Sequence, residues 1–394
     1  MILASMISLT LAFVSVSLRT SAIGYSDAVL GVAGRSVMSE YDVHLKDEYG
    51  IMAFRGFGPE IAKRVEYFAS YTFDRNKHLD LQEVRANSAG LSLADTDAFE
   101  KEVVRCAKFA IARGIISDGG EEEEAEGGRT ATERPEGGRT LRNKAVIDSL
   151  PSGGHPGNGS LFEKVKSVLS HPADAFKSGS TNYLVNRYIL LMFGNAQTGA
   201  VRDSFFTDEA EYIIEGRMSD DANYRAFKRD LTEVRNAANL VYIWMDPDMR
   251  AKVTAVAEAA TPGPWSALTA AAVSEAWALA EAMNDVKLLE HGKKVPVVKT
   301  EATWAVDIES LFNKENIEAG YIDTDPQTGL TYSGYLQLFL FLEERSLKLQ
   351  RMMDLIQINI QGKYDRDFLI MEHNLGFWFG AKIDGREYAY EEKY

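Results

Sequence analysis

A chain of 394 residues, 45% hydrophobic and 26% charged, has the apolar material for two or three domains and a sizeable core. Its formal net charge of −15 excludes the basic footprint of a nucleic-acid binder, and also docking on anionic lipid by charge alone. The single cysteine, Cys106, excludes an intramolecular disulfide and a cysteine-built zinc site.

The chain opens with eighteen residues, Met1 to Leu18, that carry no side-chain charge. As a helix they span roughly 27 Å, close to a hydrocarbon core of about 30 Å. Ser5, Ser8, Thr10, Ser15 and Ser17 dilute the run, but helical hydroxyls can bond to their own backbone carbonyls. The expectation is an uncleaved membrane anchor. Two other readings fit: a cleaved secretory signal ending at Thr20-Ser21-Ala22, or a buried core helix. No Lys or Arg precedes the run. Leu30, Ala33, Val37, Tyr41 and Leu45 continue the helical period, so one helix is expected from Ile2 to Tyr49, ended by Gly50. A body cut free after Gly50 should then keep its fold, because its core should lie downstream.

Ile51-Met52-Ala53-Phe54 reads as a short strand. A helix over Pro59 to Tyr71, strands within Leu79 to Leu93, and a helix capped by Asp95 and running to Arg113 follow. From Ser117 to Ser160 the composition changes: an acidic run at Glu121 to Glu124, Gly-Gly-Arg-Thr at Gly127 and again at Gly137, and Pro135, Pro151 and Pro156. So few apolar residues predict a disordered linker, and the doubled tetrapeptide reads as low-complexity drift. Helices are then expected over Tyr183 to Phe193, Ala222 to Met245, Ala251 to Ala260, Trp265 to Leu289 and Tyr332 to Gln361, with Pro262-Gly263-Pro264 as a breaker. Phe377 to Tyr388 reads as a hairpin turning at Asp384-Gly385. Two strands alone are marginal, so the hairpin should pair with Ile51 to Phe54 and Leu79 to Leu91.

The predicted fold class is therefore α+β, mainly α. It comprises a long N-terminal transmembrane and amphipathic helix, an antiparallel helical body, and a small antiparallel sheet including the C-terminal hairpin. The predicted domains are 1–50 (anchor and amphipathic helix), 51–116 (small α/β segment), 117–160 (linker) and 161–394 (helical domain ending in the hairpin).

Motifs that carry chemistry are missing from the sequence. There is no phosphate loop, Gly-x-Gly-x-x-Gly, Gly-x-Ser-x-Gly or His-Glu-x-x-His. His44, His78, His155, His171, His291 and His373 are scattered. Asp74-x-Asn76-x-His78-x-Asp80 has the alternation of a calcium loop, but Leu79 and Arg85 stand where glycine and a bidentate glutamate belong. It and Asp323-Thr-Asp325-Pro-Gln-Thr-Gly329 read as turns. Cys106 reads as a small buried residue, and Phe312, Phe339, Phe341 and Trp304 as core. No catalytic, cofactor-binding or metal residue is assigned, and no cofactor is expected.

Several segments resemble an uncharacterised family of membrane-anchored proteins of Gram-positive bacteria. They are Ser36 to Gly50, Arg235-Asn-Ala-Ala-Asn239-Leu-Val-Tyr242, and Trp277, Ala280, Glu281, Asp285, Val286, Leu288 and Leu289. Lys293 to Thr300 with Trp304, Gly329 to Leu340, and Arg351-Met-Met-Asp-Leu-Ile-Gln-Ile-Asn359 complete the set. The resemblance implies an anchored extracytoplasmic protein, kin to the TadE-like pseudopilins of tight-adherence (Tad) pilus and secretion loci, with no catalytic residues. The expected function is a non-enzymatic single-pass membrane protein, a component of or accessory to a Tad-type assembly. Its expected partners are membrane lipid and assembly proteins, and no nucleic acid. The alternatives are a secreted or anchored ligand-binding module and, behind it, a cell-envelope hydrolase.

Overall fold

The computed structural model describes residues 2–75, 79–113, 138–154, 179–312, 320–326 and 328–394. Helices dominate, with two small antiparallel sheets, so the fold is α+β, mainly α. Contacts divide it into two compact units, Met1–Glu102 with Ile360–Tyr394, and Val103–Asn359. The C-terminal hairpin thus belongs with the N-terminal residues rather than with the helical body.

In the first unit α1 spans Ile2–Met38 and α2 spans Val43–Tyr49. The single helix expected to Tyr49 is broken. The Asp42 side chain caps α2 by accepting from the backbone of His44 and Leu45 at 2.8 and 2.9 Å, while the Asp42 N–H turns away to the Ala53 carbonyl at 2.7 Å. A residue with extended φ/ψ and its own cap ends a helix whatever the apolar period says. Gly50 closes α2 with φ of 71°, as expected.

β1 (Phe54–Arg55), α3 (Gly58–Phe73), β2 (Leu81–Asn87) and α4 (Thr96–Ala112) follow, α4 capped by Asp95 and running on into the second unit. The unit closes with β3 (His373–Asn374), β4 (Gly376–Ile383) and β5 (Arg386–Lys393). The order β2-β4-β5 is antiparallel, with Val84 opposite Ala381 and Phe379 opposite Tyr390. The hairpin therefore does pair with the Leu79–Leu91 strand. It does not pair with Ile51–Phe54: β1 is shorter, starts at Phe54, and pairs with β3 in a separate sheet.

Alternation along β4 turns Phe377, Phe379, Ala381 and Ile383 inward. They meet Ile61, Val65, Ala69 and Phe73 of α3, at helical spacing, and Leu30, Ala33, Val37 and Met38 of α1. The second half of α1 is thus core, not spacer. Gly34 allows that approach: a Cβ there would lie 2.9 Å from both Phe379 and Glu392.

The second unit contains α5 (Lys144–Asp148), α6 (Gly179–Met192), α7 (Glu209–Glu215), α8 (Asp220–Met245), α9 (Pro247–Ala260), α10 (Ser266–Glu290), α11 (Tyr332–Leu342) and most of α12 (Arg345–Lys363). α8 and α10 run antiparallel, with Lys228 bonded to Glu290 and Asn236 to Glu275. The expected helix from Tyr332 to Gln361 is two helices. Glu343 is extended, and Glu344 restarts the helix by accepting from the N–H groups of Ser346 and Leu347, both at 2.9 Å.

The linker is corrected as well. Residues 138–154 are folded into the second unit, where Thr140 bridges to Ser219 and Ser152 donates its N–H to Asp354 at 3.0 Å. The acidic run, the first tetrapeptide repeat, Pro135 and Pro156 lie outside the described residues, as does the start of the expected 161–394 domain.

Candidate functional site

α1 is the most exposed apolar element. Ile2, Leu3, Leu9, Leu11, Phe13 and Leu18 are each more than three-fifths exposed. An eighteen-residue window of this helix is long and apolar enough to cross a membrane, and none of it is buried. Three hydroxyls of its apolar half bond back to the helix: Ser5 donates to the Ile2 carbonyl, Thr10 to Met6 and Thr20 to Val16, at 2.8 to 2.9 Å. Burial begins only beyond Ser21, with Ser26 and Leu30. A core-helix reading of the apolar run is therefore ruled out for Ile2 to Leu18 within this chain. Such a surface can insert into lipid or pack against other apolar helices.

The second unit hides its charges. Arg235 on α8 holds Asp285 on α10, its Nη2 2.9 Å and its Nε 3.0 Å from Oδ2. It also donates through Nη1 to the Tyr335 hydroxyl and the Val297 carbonyl, at 3.0 and 2.9 Å. Lys299 bridges Glu281 at 2.6 Å and Asp285 at 2.7 Å, and donates to the Thr303 carbonyl. Glu281 in turn accepts from the backbone N–H groups of Ala305 and Val306. Two cations and two carboxylates cancel, and burial raises the Glu281 carboxyl against the pull of Lys299. Trp277 and Trp304 close the cluster, both donating to the Val306 carbonyl. The segments that carry the family resemblance, from Arg235, Asn239, Glu281 and Asp285 to Trp304 and Tyr335, thus converge here. The arrangement braces α8, α10 and the 295–306 segment. Its donors and acceptors are spent on one another.

A second polar set lies along α12. Arg351 donates from Nη1 to the carbonyls of Ile213 and Ile214, the C-terminal end of α7, at 2.8 and 2.6 Å. Burial holds its guanidinium below the ordinary arginine value. Asp354 accepts from Ser152 N–H and the Tyr212 hydroxyl, Gln357 donates to Ser149, and Asn359 donates to Glu209 and accepts from Phe205 N–H. Burial pushes Asp354 up to about 6 and Glu209 up to about 7; Glu215, buried beside Asp230, is also pushed up to about 7. Gly216 must stay glycine: its φ is 68°, and a Cβ would sit 2.5 Å from the Arg351 guanidinium.

Asp323 is tied to Lys293 at 3.1 Å and to Asp325 N–H, and residues 76–78 of the other acidic turn lie outside the described residues. Among the described residues no group of three or more His, Cys, Asp or Glu could hold a metal ion. Cys106 on α4 is half-buried, Phe339 is core, Phe341 and Trp304 are half-buried, and Phe312's side chain lies outside the described residues. A surface cleft of about 500 Å³ in the first unit is lined by Arg55, Lys63, Arg64 and Glu372, but Arg55 is paired to Glu372 at 2.6 Å and Arg64 to Glu40 at 3.3 Å. Sequence reasoning missed the two braces. For the first, polar residues stand four apart, Arg235/Asn239 and Glu281/Asp285, which marks their positions but not their partners.

The sequence profile of a family of unknown function, DUF5702, matches residues 135–385. No curated protein and no solved structure matches the chain.

Proposed function

The chain belongs to the DUF5702 family of unknown function, and we propose, from its N-terminal apolar helix, that it is a single-pass membrane-anchored protein. Its body faces the extracytoplasmic side and works without catalysis, as a component of or accessory to a Tad-type pilus or secretion assembly. The observation that carries this reading is the division of α1. Its first half is bare and apolar, and its second half is locked into the core of the first unit. One unbroken helix would then transmit position in the bilayer to the folded body, which suits a subunit assembled through laterally packed helices. The pseudopilin-like kinship rests on the resemblance of Ser36 to Gly50 and the later segments. The paired buried charges support a scaffold rather than a reaction centre.

The test is membrane fractionation of Leu11→Arg beside residues 21–394. An arginine near the bilayer centre costs about 2.5–3.5 kcal/mol, so the variant should leave the membrane fraction. The shortened chain should be soluble and folded. A Leu11→Arg protein still held in the membrane would refute the anchor.

A second reading, delivery by a cleaved signal of a soluble binding module, draws on the position of Thr20-Ser21-Ala22 where exposure gives way to burial. The mass of the mature protein separates the two: a chain beginning near Ile23 would establish cleavage.

A further inference from the structure

The first unit carries an arginine and a tyrosine on each of three segments, all toward the apolar end of α1. α3 runs antiparallel to α1. Arg64, in its first half, meets Glu40 at 3.3 Å, whereas Phe73, its last residue, packs edge-to-face on Tyr25 with ring centroids 6.5 Å apart. At that far end Arg75 lies over the Tyr71 ring, 4.3 Å from its centroid, and donates to its hydroxyl at 2.9 Å. β5 starts at the same end, since Tyr394, just past its last residue, reaches the Met38 carbonyl and its middle reaches Asp27 through Tyr390. At its start Arg386 lies 5.6 Å from the centroid of Tyr388. Asp80 N–H donates to Asp384 at 3.2 Å and Gly385 N–H to Gln82 at 3.1 Å, binding the start of β2 to the hairpin tip. On α1 itself, Arg19 and Tyr25 are exposed.

The heights agree. Asp27 lies nine residues beyond Leu18, roughly 13 Å along a helix. The four residues from Arg386 to Tyr390 cover roughly 13 Å of strand. The hairpin tip therefore reaches back to about the level where the apolar run stops, which in a membrane is the headgroup layer, roughly 5–8 Å thick on each side. Tyrosine is suited to that layer by its apolar ring and polar tip, and a guanidinium fork matches phosphate oxygens. Arg19, Arg75 and Arg386 have no ion-pair partner among the described residues. The exposed Asp74, Asp80, Asp384 and Glu387 at the same end outnumber these three arginines by one, so net attraction to anionic lipid is not the driving force.

We propose that this end of the first unit is a lipid-docking surface, with Tyr71, Arg75, Arg386 and Tyr388 seated among phospholipid headgroups and contacting their phosphates. The proposal rests on the anchor reading and fixes what the folded body does beside it. It lies against the bilayer instead of standing off on a free stalk.

The test uses the full chain with Cys106→Ser, reconstituted in phosphatidylcholine vesicles. One fluorophore is placed through Glu387→Cys near the tip, or through Lys63→Cys in the half of α3 remote from it. A quencher carried on the lipid headgroup should quench position 387 several-fold more than position 63. Adding Tyr71→Ser, Arg75→Ser and Arg386→Ser should bring position 387 down to the level of position 63, with circular dichroism unchanged. Equal quenching at the two positions in protein that co-floats with the vesicles would overturn the docking surface. Persistent strong quenching in the triple variant would overturn the assignment to these residues. Protein that does not co-float would refute the anchor, and the docking surface with it.

Discussion

Removing residues 2–20 and removing residues 2–50 should have opposite outcomes. The shorter deletion takes away only exposed side chains. The longer one removes Leu30, Val37, Met38 and Leu45, all buried, together with Ala33 and Tyr49. Burying a large aliphatic side chain contributes roughly 1.5–3 kcal/mol, so these four amount to roughly 6–12 kcal/mol. Whole domains are stable by only about 5–15 kcal/mol. The expectation that a body cut after Gly50 keeps its fold is therefore replaced: the first unit should unfold without α1. Fluorine NMR of fluorotryptophan-labelled protein can read this by unit, because Trp378 is the only tryptophan of the first unit and the other four lie in the second. The Trp378 signal should keep its native shift in residues 21–394 and collapse to the unfolded position in residues 51–394. A native Trp378 signal in the longer deletion would refute the assignment of α1 to the core.

Gly216→Ala should lower the urea midpoint of the second unit, since strain at positive φ costs about 1–3 kcal/mol and the new methyl strikes Arg351. Asp285→Ala leaves Arg235 and Lys299 facing one carboxylate and should destabilise by about 3–5 kcal/mol in a chemical denaturation series. Glu209 and Glu215 are raised from 4.5 to about 7. The folded state therefore binds their protons more tightly than the unfolded chain, and this stabilisation is full below the unfolded value and lost as pH rises through about 7. Denaturation midpoints should fall between about pH 5 and about pH 8, and Glu209→Gln should flatten the trend.

Helix α3, expected at Pro59 to Tyr71 and observed at Gly58–Phe73, was legible because one apolar face and a proline near its start mark it. The same holds for α8, α9 and α10, punctuated by Pro247 and by Pro262-Gly263-Pro264. The misses have a common cause. At Asp42 and at Glu344 a carboxylate starts a new helix inside an apolar period that runs on regardless. Periodicity reports which face is buried, not whether the backbone is continuous. Residues 138–154 were hidden for another reason. Their composition is that of a loop, and they are held by polar bonds to Asp354 and Gln357 together with the burial of only two large apolar side chains, Leu141 and Leu150.

The exposed apolar half of α1 was readable from composition alone, but the braces of the second unit were not, and the difference is physical. Hydrophobic exposure follows from residue type, whereas a buried ion is tolerable only when its partners are in place. Four buried cations, Arg235, Lys299, Lys348 and Arg351, each donate to backbone carbonyls, of Val297, Thr303, Leu340, and Ile213 with Ile214, although the Nε and Nη2 of Arg351 find no hydrogen-bond acceptor. Helix ends and irregular segments leave carbonyls unsatisfied, and a buried cation can satisfy them while joining elements distant in sequence. A lysine or arginine within an apolar helix is thus legible as a buried group, but its acceptors are carbonyls that no residue type reveals. Asp285 supplies the countercharge for two of these cations at once. Losing it should therefore be more costly than losing either cation alone. Asp285→Ala beside Lys299→Met in the same denaturation series puts this to the test, and equal losses of stability would mean that the two cations do not share the carboxylate.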